Sequence, residues 1–231
     1  MKVLILSDVH ANLEALQAIT ESWDELWVLG DLVNYGPSPA EVVDFIREHA
    51  TVVVRGNHDN AIGAGVDPRC SPAFREMAQA MQAYTEAILT DDQRAYLRHL
   101  PLTAQRRVGE KMFFLCHAAP SDPLFRYAPP EPAVWTEEAA TVNADVLLVG
   151  HTHLPFILDL GAQRVTNPGS VGQPKDGAPQ ARYAVLEGGV VTLKSAPYAV
   201  NETTRKLSEM RVDARIRRQL ADVLLTGRPP A

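Results

Sequence analysis

The amino-acid sequence predicts a layered α/β protein, and three observations carry that expectation. Apolar bursts of strand length alternate with amphipathic stretches of helix length. Several bursts, such as Val3–Leu6 and Val146–Val149, are continuous, as in strands covered on both faces. The chain has 231 residues, 46% of them hydrophobic and 22% charged, enough to bury a large core without disulfides.

Val3–Leu6 reads as the first strand, ending at Ser7-Asp8, with a helical pattern following through Leu13, Leu16 and Ile19. Glu25–Leu29 is the second strand, ending at Gly30-Asp31. Ser38 then caps a helix with Pro39 in its first turn and Val42, Val43, Phe45 and Ile46 on its apolar face. Thr51–Val54 is the third strand, ending at Gly56-Asn57-His58-Asp59. Such strand–loop–helix succession implies parallel strands with right-handed crossovers. Residues 71–100 break the rhythm as a helical insertion. Phe74, Met77, Met81, Tyr84 and Ile88 recur at helical spacing, a packing stripe, and Thr90 with Gln93 forms a capping box before the stop at Pro101. Hairpins follow: Gln105–Val108 with Lys111–His117, Pro155–Leu160 with Arg164–Thr166, and Arg182–Glu187 with Val190–Ala196 around Gly188-Gly189. Residues 200–225 read as one or two helices. With no repeat or linker, the expectation is a single domain over residues 1–231.

Charge and composition exclude several classes. The 22 basic and 28 acidic residues leave a net charge of −6, against a nucleic-acid binder working by bulk charge. The apolar runs are too short to cross a bilayer, and Asp8 interrupts any signal-peptide core. Two cysteines, Cys70 and Cys116, suit a reducing compartment. The expectation is a cytoplasmic protein with neither membrane nor nucleic acid as partner; a homo-oligomer stays open.

The chemistry-bearing residues cluster at strand ends. Asp8-x-His10, Gly30-Asp31, Gly56-Asn57-His58-Asp59, His117 and Gly150-His151-Thr152-His153 each lie just past a strand, where ligands bind in α/β sheets. Seven of these side chains, Asp8, His10, Asp31, Asn57, His117, His151 and His153, suit metals such as Mn, Fe or Zn. Strand alternation expects Asp8 with His10, and His151 with His153, each to converge on one point. It also sends Cys116 to the face opposite His117. Two divalent ions against Asp8, Asp31 and a bridging hydroxide leave about +1, attractive to a phosphate ester. His49 and His99 read as ordinary core or surface residues, Asp59 as a loop hydrogen-bonder, and Asn167-Pro168-Gly169-Ser170 as a turn placed to support the site. The basic C-terminal residues, Arg205 through Arg218, read as a solvated helix face.

These five blocks in order, D-x-H, G-D, G-N-H-D, H and G-H-x-H, resemble the calcineurin-like metallophosphoesterase superfamily. The resemblance spans residues 2–196. GDLVNYGPSP, GHTHLP and NPGSVGQP look like signatures of its small bacterial phosphodiesterase subgroup. It implies a four-layer α-β-β-α sandwich of two mixed sheets flanked by helices. It implies two divalent transition-metal ions, manganese first, with iron, zinc or nickel as alternatives. Asp8, His10, Asp31 and His153 would hold one ion, and Asp31, Asn57, His117 and His151 the other, with a metal-bridging hydroxide as nucleophile. His58 would be the catalytic residue at the substrate.

The second block departs from that of the superfamily's protein phosphatases, which continues G-D-x-V-D-R-G. Asn34 and Tyr35 stand here in place of the carboxylate that pairs with the histidine and of the phosphate-gripping arginine. This favours a small phosphodiester substrate over phosphoproteins. Asn34, Tyr35 and Arg126 are candidate substrate contacts, and Asp122 lies in a loop that could border them. The alternatives are a phosphomonoesterase or protein phosphatase-like enzyme, a nuclease, and a non-catalytic metal-stabilised binding protein.

Overall fold

The computed structural model describes residues 1–229. The chain opens with β1 (Lys2–Leu6), α1 (Leu13–Gln17), β2 (Glu25–Val28), α2 (Pro39–His49), β3 (Val52–Val53) and α3 (Asn57–Ala64). Two more helices follow, α4 (Pro72–Ile88) and α5 (Asp91–His99), then the hairpin β4 (Thr103–Val108) and β5 (Lys111–Cys116). After α6 (Pro132–Ala139) and β6 (Val146–Leu148) come two hairpins, β7 (Phe156–Asp159) with β8 (Arg164–Asn167) and β9 (Gln180–Glu187) with β10 (Val190–Pro197). The helices α7 (Val200–Glu209) and α8 (Ala214–Thr226) complete the order.

The strands form two mixed five-stranded sheets, ordered β10-β9-β1-β2-β3 and β4-β5-β6-β8-β7. In the first, β1, β2 and β3 are parallel and β9 runs antiparallel to β1; in the second, β5, β6 and β8 are parallel.

The continuous apolar runs have a direct structural reason. Val3 and Ile5 of β1, Phe113 and Leu115 of β5, and Val146 and Leu148 of β6 fill the space between the sheets. Trp27 meets Phe113 there edge to face, with ring centroids 5.7 Å apart. The alternate residues of β1, Leu4 and Leu6, face outward onto a helix layer that includes Val42, Val43 and Ile46 of α2. Phe114 and Cys116 of β5 and Leu147 of β6 face Trp135 and Ala139 of α6 on the far side. Both faces of each sheet are therefore apolar, giving the four layers that the resemblance implied. Cys116 faces α6, as alternation expected.

The helical insertion is α4 and α5. Phe74, Met77 and Met81 of α4 pack against Leu207 of α7 and Ile216, Leu220 and Leu224 of α8, so this stripe is core. Half of the six basic residues of the C-terminal face are ion-paired: Arg205 with Glu202 and Glu209 at 3.1 and 2.7 Å, Lys206 with Glu14, and Arg215 with Glu76. Two details differ from the sequence-based reading. Ile19 lies beyond the end of α1, and the Ser38 side chain makes no cap hydrogen bond, the α2 start resting on Pro39 instead. The helix α6 was not anticipated, because its entry Pro129-Pro130-Glu131-Pro132 reads as loop. Its order comes from Trp135, buried and donating Nε1–H to the Pro129 carbonyl at 2.9 Å.

The capping box holds as expected: Thr90 Oγ1 accepts from Gln93 N at 3.2 Å and Gln93 Oε1 accepts from Thr90 N at 3.1 Å. The expected effect of Thr90→Ala is a loss of about 1 kcal/mol in stability, read by urea denaturation.

Candidate metal centre and active-site cavity

The carboxyl ends of β1, β2, β5 and β6, with the loops after them, meet at one end of the two sheets. Backbone hydrogen bonds stitch these tips together: Asp8 N donates to Gly30 O at 3.0 Å, His10 N to Asp31 O at 3.0 Å, and Gly150 N to His117 O at 2.7 Å. Among the described residues, nine that are not glycine have φ in the left-handed region. Five of them, Asp8, His10, Asp31, His151 and His153, are among the seven predicted ligands; Tyr35 and Arg69 line the adjoining cavity, and Asn34 contacts His58. Asp, Asn and His tolerate this region better than most residues, yet each such residue still carries strain of order 1 kcal/mol.

Two groups of side chains can each hold a metal ion. Asp8, His10 and His153 form one, and Asp31, His117 and His151 the other, with the ligand atoms of each group within 4.8 Å of one another. The sequence expectation that His151 and His153 converge on one point is therefore corrected. Both have left-handed φ, so strand alternation does not apply, and the two rings serve different groups. Asp31 stands between the groups: its Oδ2 is 3.8 Å from His10 Nε2 and 3.3 Å from His117 Nε2. Asn57 lies beside the second group, with Oδ1 3.1 Å from His117 Nε2 while its Nδ2 donates to Pro68 O.

The donor set fits a pair of cations. Nδ1 of His10, His117 and His153 lies 3.0, 2.8 and 2.6 Å from the carbonyls of Val33, Leu29 and Gln173. Each donates there, so that Nε2 is the nitrogen turned inward, its lone pair free where the ring is neutral. The His10 and His153 Nε2 atoms then face each other at 3.2 Å, as His151 Nδ1 and His117 Nε2 do at the same distance. The His10 and His153 nitrogens, both on neutral rings, are opposed acceptors that a cation between them satisfies. Asp8 Oδ1, fully buried and 3.3 Å from His153 Nε2, has no hydrogen-bond partner, although Oδ2 accepts from Ser7 Oγ and His151 N. Burial pushes His10 and His153 below the usual imidazole range and His151 down to about 3, which keeps them in the neutral, ligating form. His117 differs: burial opposes its charge, but Asp31 overrides it and raises the ring to about 9. A cation at this site has to displace that proton.

Two glycines of the motifs are required by close approach. A Cβ on Gly56 would lie 2.0 Å from Asp31 Oδ1, and one on Gly150 would lie 1.9 Å from Ser7 Oγ and 2.9 Å from Asp8 Oδ2. Asp59 acts as the loop hydrogen-bonder it was read to be, accepting from the backbone N–H groups of Asp31, Leu32 and Gly56 at 2.8 to 3.0 Å. The turn after β8 supports the centre: Asn167 Nδ2 donates to Gly150 O at 2.7 Å, and Ser170 Oγ to Asp8 O at 2.7 Å.

A cavity of about 240 Å³ opens onto the two groups, bordered by Asp31, Asn57, His58, His151 and His153. His58 lies in the first turn of α3, and its N–H donates to Asp31 Oδ1 at 2.9 Å. Thr85 of α4 donates to Asn34 Oδ1 at 3.0 Å, so the amide presents Nδ2 to His58 Nδ1 at 2.8 Å. A neutral ring then carries its proton on Nε2, the nitrogen beside the cavity residue Cys70. Burial, with no carboxylate partner at Nδ1, brings His58 down to about 4.

Of the candidate substrate contacts, only Tyr35 borders the cavity. Asn34 instead orients His58. Arg126 turns away, its Nε 3.4 Å from Glu138, and is not among the lining residues. Asp122 folds the adjoining loop by accepting from the backbone of Leu124 and Phe125. The sequence reading missed Arg69, Cys70, Phe74, Phe125, Tyr127 and Lys175, which also line the cavity. Only Lys175, just after NPGSVGQP, carried a signal in its position. His49 and His99 lie outside the site, each bonded to a carbonyl four residues earlier on its own helix.

A family model for the calcineurin-like phosphoesterase superfamily domain matches residues 1–188. The chain belongs to that superfamily and is a metal-dependent phosphoesterase. A crystal structure of a metallophosphoesterase from Sphaerobacter thermophilus superposes with a TM-score of 0.82 at 30% identity, covering 98% of this chain and 100% of that one. Phosphodiesterase YfcE of Escherichia coli is 29% identical over 84% of this chain and 91% of its own length. An uncharacterized protein of Methanocaldococcus jannaschii is 28% identical over 98% of both chains.

Gly150→Ala is expected to displace Asp8 and empty the Asp8–His10–His153 group, seen as reduced metal content by elemental analysis with unchanged far-ultraviolet circular dichroism. Thr85→Val, which frees the Asn34 amide, should lower turnover about 2- to 10-fold with metal content retained, the range that one hydrogen bond supplies.

Proposed function

We propose that the protein is a dinuclear metal-dependent phosphodiesterase that hydrolyses a P–O bond of a small phosphodiester. The observation that carries this reading is Asp31 Oδ2, set between His10 of one ligand group and His117 of the other, where Asp31 lines a cavity that His58 also lines. Asp8, His10, Asp31 and His153 are assigned to one ion, and Asp31, Asn57, His117 and His151 to the other. Mixed imidazole, carboxylate and amide donors suit first-row ions. Manganese is the ion we assign, with iron, zinc and nickel compatible with the same donors. When bound, the pair acidifies the attacking water and neutralises phosphoryl charge.

The chain's own residues supply the rest. His58 donates from Nε2 to a phosphoryl oxygen or to the departing oxygen as the P–O bond breaks. Asn34 and Thr85 hold its ring, and Tyr35 packs against it with centroids 4.8 Å apart. The neutral Asn34 and the absence of arginine at position 35 support a diester over a dianionic phosphoprotein, and the likeness to a phosphodiesterase points the same way. No described helix is long and apolar enough to cross a membrane, and both cysteines are free, in keeping with a single-domain enzyme of the cytoplasm.

Asp31→Asn is expected to abolish hydrolysis of bis(p-nitrophenyl) phosphate and to lower the content of both metals. His58→Ala should keep both ions, by anomalous scattering, while turnover drops about 10²- to 10⁴-fold. Full activity in His58→Ala would remove that residue from the mechanism. Chelation by EDTA should lower the melting temperature of the wild type more than that of Asp31→Asn, because only the former loses bound cations.

A further inference from the structure

Two cations in the cavity have no role in the reaction as assigned above. Lys175 lies two residues after Gln173, whose carbonyl is bound to the His153 ring, so the loop carrying its ammonium is tied to the ligand groups. Its Nζ stands 4.3 Å from the centre of the Phe74 ring. Arg69 sits at the cavity rim ahead of α4, held at a φ of 55°, with its guanidinium 4.4 Å from the centre of the Phe125 ring. Both cations are thus steered by aromatic faces.

Neither is neutralised by the protein. Asp176, next to Lys175, pairs with Arg182 at 2.7 Å, and Asp67 accepts from the backbone N–H of Arg69 at 2.6 Å, not from its guanidinium. Among the described residues, no carboxylate lies within 4.0 Å of either cation. Burial draws the half-buried Lys175 down to about 8, against the attraction of Asp8 and Asp31. An ammonium in that position gains from an anionic ligand.

A simple diester brings one negative charge, and that charge belongs at the metal centre. Two more fixed cations in the same cavity exceed its needs. We propose that Lys175 and Arg69 form a second anion subsite, which receives a further phosphoryl group of the substrate beside the one that is hydrolysed. This rests on the phosphodiesterase reading and narrows its substrate class to esters with at least two phosphoryl groups. The second group is either part of a phosphoanhydride chain or a separate terminal phosphate; ammonium and guanidinium bind both by charge-assisted hydrogen bonds. Water adds across one P–O bond, its oxygen to phosphorus and a proton to the departing oxygen, and the second phosphoryl group leaves unchanged.

Three p-nitrophenyl esters, assayed with saturating Mn²⁺, test the proposal. Bis(p-nitrophenyl) phosphate has one phosphoryl group. The 5′-p-nitrophenyl ester of thymidine 3′,5′-bisphosphate adds a separate phosphate, and the γ-p-nitrophenyl ester of adenosine 5′-triphosphate adds an anhydride chain. The wild type is expected to favour one or both of the latter in kcat/KM by about tenfold or more. The preferred ester identifies the source of the second group. In Lys175→Ala and in Arg69→Ala that preference ratio should collapse toward one, and Lys175→Arg should restore most of it. A wild type without the preference, or variants that slow all three esters in parallel, would overturn the subsite. A wild type that cleaves none of the three would instead overturn the phosphodiesterase reading on which the subsite rests.

Discussion

Asp8 and Asp31 are buried carboxylates to which no lysine or arginine is bonded among the described residues, and much of the surrounding structure answers that arrangement. A buried, unpaired carboxylate is costly, so the chain surrounds these two with donors. Ser7 Oγ and His151 N serve Asp8, and the first-turn N–H of His58 serves Asp31. What remains unsatisfied points inward: Asp8 Oδ1 and imidazole nitrogens turned toward one another. Cations complete that set. Strained backbone at the strand tips and glycines with no room for a methyl group are the means by which the ligands reach it.

Around this centre the specificity is built from less regular parts. α4, buried mainly against the C-terminal helices, reaches back with Thr85 to hold Asn34 and with Phe74 to line the cavity. The helical insertion therefore serves both the core and the active site. The guanidinium absent at position 35 is supplied near the same cavity by Arg69, from a loop with no counterpart in the motif blocks. A site that lacks a phosphate-gripping arginine in its motif still carries positive charge beyond its metals, and this bears on what it accepts.

The strands, their hairpins, the capping box of α5 and the clustering of the ligand candidates at strand ends were legible in the sequence. Continuous apolar runs report burial on both faces, and turn glycines and capping residues act locally. α6 was hidden because its signal depends on Trp135 finding a pocket under the second sheet. Arg126 was misjudged because which way a loop side chain turns depends on its partner, here Glu138.

By itself, the sequence determined which residue types end each strand and in what order, since periodicity and motif spacing are local properties of the chain. Only the tertiary structure decided how those ends divide into two groups, which ring nitrogen faces inward, and which distant loops bring Lys175 and Arg69 to the cavity. Those outcomes depend on left-handed turns and on contacts between residues more than a hundred positions apart, such as His10 with His153, and no local pattern encodes them.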